Sequence, residues 1–227
     1  MPAPTTQNEI NNKLVVLNLK EIGMIYGKRL RLRAAEREDL PRFVAWLNDP
    51  EVRQFLLINQ PLSMAEEERW FDSMLNRPSA EHVRVIEIAQ AGGSGDHAAD
   101  VSDIQRGDGI SWKPIGNIAL ENIDWVNRSA EIGIFIGEKS CWNQGYGREA
   151  MSVMLRHAFE TINLNRVYLY VYAYNPRAIR SYERAGFKLE GRLREGRYHE
   201  GRYHDVLLMA VLRSEWQSDG FSENQGE

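Results

Sequence analysis

The stretch Cys141 to Ala150, CWNQGYGREA, constrains this chain more than any other. It joins an alternating apolar run, SAEIGIFIGE, to a long helical pattern, with Gly145 and Gly147 one residue apart at the junction. A glycine turn between a strand and a helix brings unpaired backbone N–H groups to a helix N-terminus, where the helix dipole also favours phosphate. The junction therefore calls for a sheet, a helix packed on it, and a phosphorylated cofactor. A Walker A loop is excluded because no Gly-Lys-Ser/Thr follows. Gly145-Tyr146-Gly147-Arg148-Glu149-Ala150 satisfies the alanine form of the dinucleotide fingerprint, but its context fails. It lies late in the chain behind short β–β steps, and no acidic residue closes the following strand, RVYLYVYAYN.

The rest of the chain supplies the sheet. Leu30 and Leu32 alternate in RLRLR and predict a first strand, with LVVLNL before it as an extra one. Leu40, Phe43, Val44 and Leu47 fall at helical spacing, and Pro50 is expected to stop that helix. Ser63 and Glu66 form a capping box that opens a second helix, closed by Pro78. HVRVIEIAQ, KPIGNIALENID and NRSAEIGIFIGE read as strands, and Tyr146 to about Ile162 as a helix with Ala150, Met154 and Ala158 on one stripe. RVYLYVYAY is the next strand. Asn175 caps a short helix that starts at Pro176 and ends before Gly186, and FKLEGRLRE and YHDVLLMAVLR are paired strands. The fold class is α/β (α+β): a mixed, mostly antiparallel twisted sheet with helices on both faces, in one domain over 28–216. Residues 1–27 read as a partly ordered extension, 91–109 as a flexible insertion and 217–227 as a loose tail.

Charge and cysteine content narrow the partners. With 28 Lys and Arg against 32 Asp and Glu, the chain has no global basic field and does not call for nucleic acid. No stretch approaches the apolar length of a membrane span, so no membrane partner is expected. Cys141 is the sole cysteine, which excludes an intrachain disulfide and a cysteine-rich metal site and suits a reducing compartment, so cytoplasm is the expected location. The tandem repeat GRYHEGRYHD holds His199 and His204 five apart. That spacing is wrong for one helical face, and on strands it separates the two unless a turn intervenes. A hairpin turn at Glu200–Gly201 that exposes polar side chains is the expectation, with no metal.

NPRAIRSYERAGF, Asn175 to Phe187, places a tyrosine on the capped helix. Together with WNQGYGREA upstream, it closely resembles the GNAT N-acetyltransferase superfamily, over roughly residues 28–216. The N-terminal RLRLRAAEREDLPRFVAWLNDPEV is similar to the branch of ribosomal-protein alanine and spermidine acetyltransferases. The resemblance implies acetyl-CoA as co-substrate and no metal, and a diphosphate cradle made by Asn143, Gln144, Gly145, Tyr146, Gly147 and Arg148. Trp142 stands where Gln or Arg is usual in the family pattern. The resemblance also assigns Phe135, Ile136 and Gly137 to a strand edge that pairs with the pantetheine arm, and Asn175 to a contact with that arm. Tyr182 falls at the position of the family's general acid, and a tyrosine is protonated at neutral pH and can supply a proton to a leaving thiolate. Glu131, at the head of the same strand, is the leading general base, with Glu121 second. Direct acetylation of a small-molecule amine or a protein N-terminus is implied, with a homodimer possible. A catalytically silent CoA-binding module of the same fold is the alternative.

Overall fold

The computed structural model describes residues 23–91 and 110–216. The expected strand in LVVLNL, residues 92–109 of the 91–109 insertion and the 217–227 tail lie outside them. Eight strands form one sheet: β1 (Ile25–Tyr26), β2 (Leu30–Ala34), β3 (Arg84–Ala91), β4 (Ile110–Asp124), β5 (Ser129–Ile136), β6 (Arg166–Tyr172), β7 (Lys188–His199) and β8 (Arg202–Leu212). Their order is β1-β2-β3-β4-β5-β6-β8-β7, and every neighbouring pair is antiparallel except β5–β6.

The helices are α1 (Leu40–Asn48), α2 (Pro50–Arg53), α3 (Met64–Leu75), α4 (Tyr146–Arg156) and α5 (Pro176–Arg184). The helix α1 ends at Asn48, just before Pro50 as expected, and Pro50 then opens the short α2. Asp49 turns extended after α1, its Oδ1 accepts the Glu51 N–H at 2.9 Å, and the fixed φ of proline suits a first helical position. The Ser63–Glu66 capping box opens α3, with reciprocal side-chain to backbone bonds of 3.3 and 2.8 Å. The expected stripe of Ala150, Met154 and Ala158 is buried. The last turn after α4, His157–Thr161, winds as a π-helix before Ile162, so the expected single helix changes pitch there.

The sheet has a core on each face. On one side α4 and α5 cover Leu30, Leu32, Ala130, Ile132, Val167, Leu169 and Val171. On the other, α1 and α3 cover Val85, Ala119 and Phe135 through Phe43, Trp46, Phe71 and Met74. Alternation along β5 therefore sends its even residues toward α4 and its odd residues toward α1 and α3.

The parallel pair β5–β6 positions the site. Its register has three partners only: Ser129↔Arg166, Ala130↔Val167 and Glu131↔Tyr168. Beyond them β5 stays with β4 as far as Gly116↔Ile136, while β6 stays with β8 as far as Tyr172↔Val206. Each strand follows its antiparallel partner, and a gap opens between the two.

Candidate active site

On its β5 side the gap has an open backbone edge. The Gly137 N–H donates to the Ile115 carbonyl at 2.9 Å, and Phe135 lies opposite Asn117 in the same register. Antiparallel pairing alternates, so the odd residues of β5 spend their backbone groups on β4. Those of Ile132, Ile134 and Ile136 point into the gap. Of the three residues the sequence nominated here, Ile136 turns its N–H to the open side, joined by Ile134, and Phe135 and Gly137 turn theirs to β4. Gly137 is small for another reason: a Cβ there would stand 2.2 Å from the Trp46 ring.

At the mouth of the gap the chain turns into α4. Asn143 and Gly145 adopt left-handed φ of 61° and 83°. The first intrahelical bond runs from the Glu149 N–H to the Gly145 carbonyl at 3.0 Å, and Gly145 has no side chain with which to cap. The N–H groups of Tyr146, Gly147 and Arg148 precede that bond and stand at the positive end of the helix dipole. A phosphate fits there by charge and by donor geometry. Gln144 is held through its amide to the Ser140 carbonyl at 2.6 Å, and Tyr146 is buried.

Sequence reasoning missed Arg29. Its Nε donates to Glu149 at 2.9 Å, its Nη1 to the Gln144 carbonyl at 3.2 Å, and its guanidinium lies 4.6 Å from the Tyr146 ring. It neutralises the one acid in the first turn of α4, which would otherwise repel an incoming phosphate. Arg29 sits 115 residues upstream of Gln144, so no local pattern could have linked them.

Trp142 closes the mouth. Its Nε1 donates to the Ile136 carbonyl at 2.8 Å, and Arg177 of α5 lies 4.2 Å above its ring. A cation thus stands beside the loop even though the position itself is a tryptophan. Asn175 is buried and uses its Oδ1 to cap α5 through the Ala178 N–H at 3.1 Å. That leaves its amide NH₂ for a ligand.

The titratable groups come from both faces. Tyr182 packs on Phe187 on the α4–α5 side, and burial pushes its hydroxyl up to about 12, opposed in part by the nearby Arg177 charge. It is a protonated donor throughout the neutral range. Glu131 lies on the α1–α3 face, opposite Glu121 and beside Tyr168. Burial raises its carboxyl above the ordinary range; a 3.3 Å bond from Asn122 opposes this and the Glu121 charge adds to it. Between Glu131 and Phe135, Gly133 is exposed with nothing within 4 Å of a Cβ built on it, so this face of β5 is open. Cys141 is buried, and desolvation raises its thiol, which does not favour a nucleophile.

The far wall is the β7–β8 hairpin. Glu200 and Gly201 both have positive φ, 48° and 79°, which makes the expected tight turn. The turn does not expose the histidines. It brings His199 and His204 to the same face, where His199 stacks on the Tyr174 ring at 5.0 Å and His204 meets it edge-on at 4.6 Å. Tyr174 donates to the Gln54 carbonyl at 2.9 Å, and Arg197 to the Leu56 carbonyl at 2.9 Å, so the loop between α2 and α3 is latched across the end of β6.

Comparison with known proteins agrees with this geometry. Residues 29–188 match the model of the acetyltransferase (GNAT) domain. The spermidine N(1)-acetyltransferase of Vibrio cholerae is 31% identical over 190 residues, covering 84% of this chain and 96% of that protein. An uncharacterized N-acetyltransferase, p20, of Bacillus licheniformis is 28% identical over 192 residues, 85% of this chain and 97% of that one. A solved structure of the Vibrio cholerae spermidine N-acetyltransferase in complex with CoA and spermine aligns with a TM-score of 0.68 at 29% identity, over 82% of this chain and 97% of that chain.

Proposed function

Because the chain belongs to the GNAT acetyltransferase family and is an acetyl-CoA-dependent N-acetyltransferase, we propose that it acetylates a primary amine in the gap between β5 and β6, with Tyr182 as general acid and Glu131 as general base. The observation that supports this reading is a glycine-opened helix N-terminus beside a strand edge that β6 leaves unpaired, with a half-buried tyrosine on the α4–α5 face of the sheet and a carboxyl of raised pKa on the other face of β5.

The residues fit the co-substrate. The N–H groups at 146–148 would hold the diphosphate, with Asn143, Gln144, Trp142 and Arg177 around them. The open edge at Ile134 and Ile136 and the Asn175 amide would hold the pantetheine arm, with Phe135 and Gly137 shaping the strand through Trp46. Acetyl-CoA supplies the acetyl group as a thioester; a C–N bond forms to the amine and the C–S bond breaks. Glu131, above the usual carboxylate range, takes the proton the amine must lose, directly or through a water. Tyr182 gives its Oη proton to the departing thiolate. The two side chains approach from opposite faces of the sheet, so they serve a reaction at the gap without competing for one position.

The acceptor is a small-molecule amine, as spermine is in the relative's complex, or a protein N-terminus. The same reading has the enzyme acting as a homodimer in the cytoplasm, and sedimentation of the purified protein checks the dimer. Thiol release from acetyl-CoA with an amine panel tests the whole. Tyr182→Phe should lower kcat by about 10²-fold or more with acetyl-CoA affinity little changed. Unchanged kcat removes Tyr182 as the acid. Tight CoA binding with no turnover on any amine would favour a silent binding module.

A further inference from the structure

Arg197 is a buried charge whose partners are all neutral. It is 8% exposed. Its Nη2 donates to the Leu56 carbonyl at 2.9 Å and to Asn59 Oδ1 at 3.0 Å, and its guanidinium lies 5.1 Å from the Tyr172 ring. Among the described residues no carboxylate pairs with it, and its Nε is buried without a hydrogen-bond partner. Two other buried charges are treated differently: Asp39 and Glu87 are both bonded by Arg33 at 2.7–2.8 Å, and Glu87 by Arg31 as well. A guanidinium removed from water is costly without a counter-ion, and its planar fork of donors matches an oxyanion.

A second orphan stands directly opposite. His204 is the cross-strand partner of Arg197, and its Nε2 is buried without a partner. His199 shares the face, stacked on the Tyr174 ring that His204 meets edge-on. Arg197 and His199 line a cleft of about 510 Å³ together with Leu57, Asn59, Tyr198 and Glu200. Three of the acids that could meet a polycation nearby are otherwise engaged: Asp49 and Glu51 hold Lys139 at 2.8 and 2.7 Å, and Glu66 closes the α3 capping box. Glu200, 77% exposed at the hairpin tip, lies 3.8 Å from His199.

We propose that the acceptor amine carries a compact oxyanion, a carboxylate or a phosphate, read by Arg197 with His204 and His199 beside it, so that the preferred acceptors are amino-acid-like and not polyamines. The proposal rests on the reading of the chain as an amine acetyltransferase. The test is thiol release from acetyl-CoA by the full-length enzyme with ω-amino acids of increasing chain length, the matched primary amides, ω-aminoalkyl phosphates, and spermidine. An anionic acceptor is expected to exceed its amide in kcat/KM by roughly tenfold or more at one chain length, with the carboxylate and phosphate arms identifying the oxyanion. Arg197→Gln and His204→Gln should each move that ratio toward one. Arg197 also holds the Leu56 loop; if its variant does not fold, the wild-type ratio and His204→Gln decide. Amides equal to acids, or spermidine ahead of every anionic acceptor, overturns the proposal. Absence of thiol release with every amine tested overturns the acetyltransferase reading, and this proposal with it.

Discussion

Gly137→Ala tests the junction where β5 leaves the sheet for the cofactor loop. A Cβ at this position would lie 2.2 Å from Cγ and Cδ2 of Trp46 and 2.8 Å from its Cβ. Ordinary carbon contacts lie near 3.5–4.0 Å, so the indole or the strand must move by more than about 1 Å. Neither moves freely. Trp46 is buried between Phe43 and Phe135, with ring centroids 6.1 and 6.3 Å away, and Gly137 is pinned by its bond to Ile115. Overpacking of this kind costs about 1–3 kcal/mol, and the closeness of the contact argues for the upper end. For a domain of this size that lowers Tm by roughly 5–10 °C. Thermal unfolding of Gly137→Ala, Trp46→Leu and the double variant measures it. Because the strain is a contact between the two residues, the double variant should be more stable than the summed single losses predict. A Gly137→Ala protein that melts with the wild type, or single costs that simply add, would refute the reasoning.

Two pH predictions follow from buried acids. Glu67 on α3 is 3% exposed, and burial pushes its carboxyl up to about 7. Between pH ~4.5 and ~7 the native state holds a proton that the unfolded chain has released, so wild-type stability rises as pH falls through that window. Glu67→Gln should therefore be more stable than wild type at pH 8, by up to ~3 kcal/mol, with the difference vanishing below pH ~4.5; denaturant melts across pH that show a constant difference contradict it. For Glu131, the acidic limb of kcat/KM should lie above the ordinary carboxylate range, activity being lost as pH falls and the base takes up its proton. Glu131→Gln should lower kcat and flatten that limb; an unchanged profile assigns the limb to another group.

Local features of the sequence carried far. The strand–glycine–helix junction at 141–150, the capping box at Ser63, the cap at Asn175 and the turn at Glu200–Gly201 were all legible, because each depends on bonds within a few residues. Periodicity likewise marked the buried faces of β5, β6 and α4. Pro50 ended α1 as expected, and what local reading did not foresee was the short α2 that a side-chain cap from Asp49 opens at the same proline.

The remainder depended on which strands lie side by side. That β5 and β6 share only three register partners follows from the pull of β4 and β8, and only assembled pairing reveals which N–H groups of β5 are free. Arg29 reaches the cofactor loop, and Arg177 stacks on Trp142, across folds of the chain that carry no sequence signal. The histidine repeat reads as an exposed turn, yet its histidines form a half-buried cluster beside Arg197, because a tight turn makes five-apart residues neighbours and Tyr174 packs on them. Short-range hydrogen bonding and apolar alternation are written in the order of residues, and they determined the elements, the glycine cradle and the tyrosine helix. Desolvation and cross-strand adjacency arise only when distant segments exclude water together, and they decided which carboxyl is raised, which edge is open and which buried cation has only neutral partners.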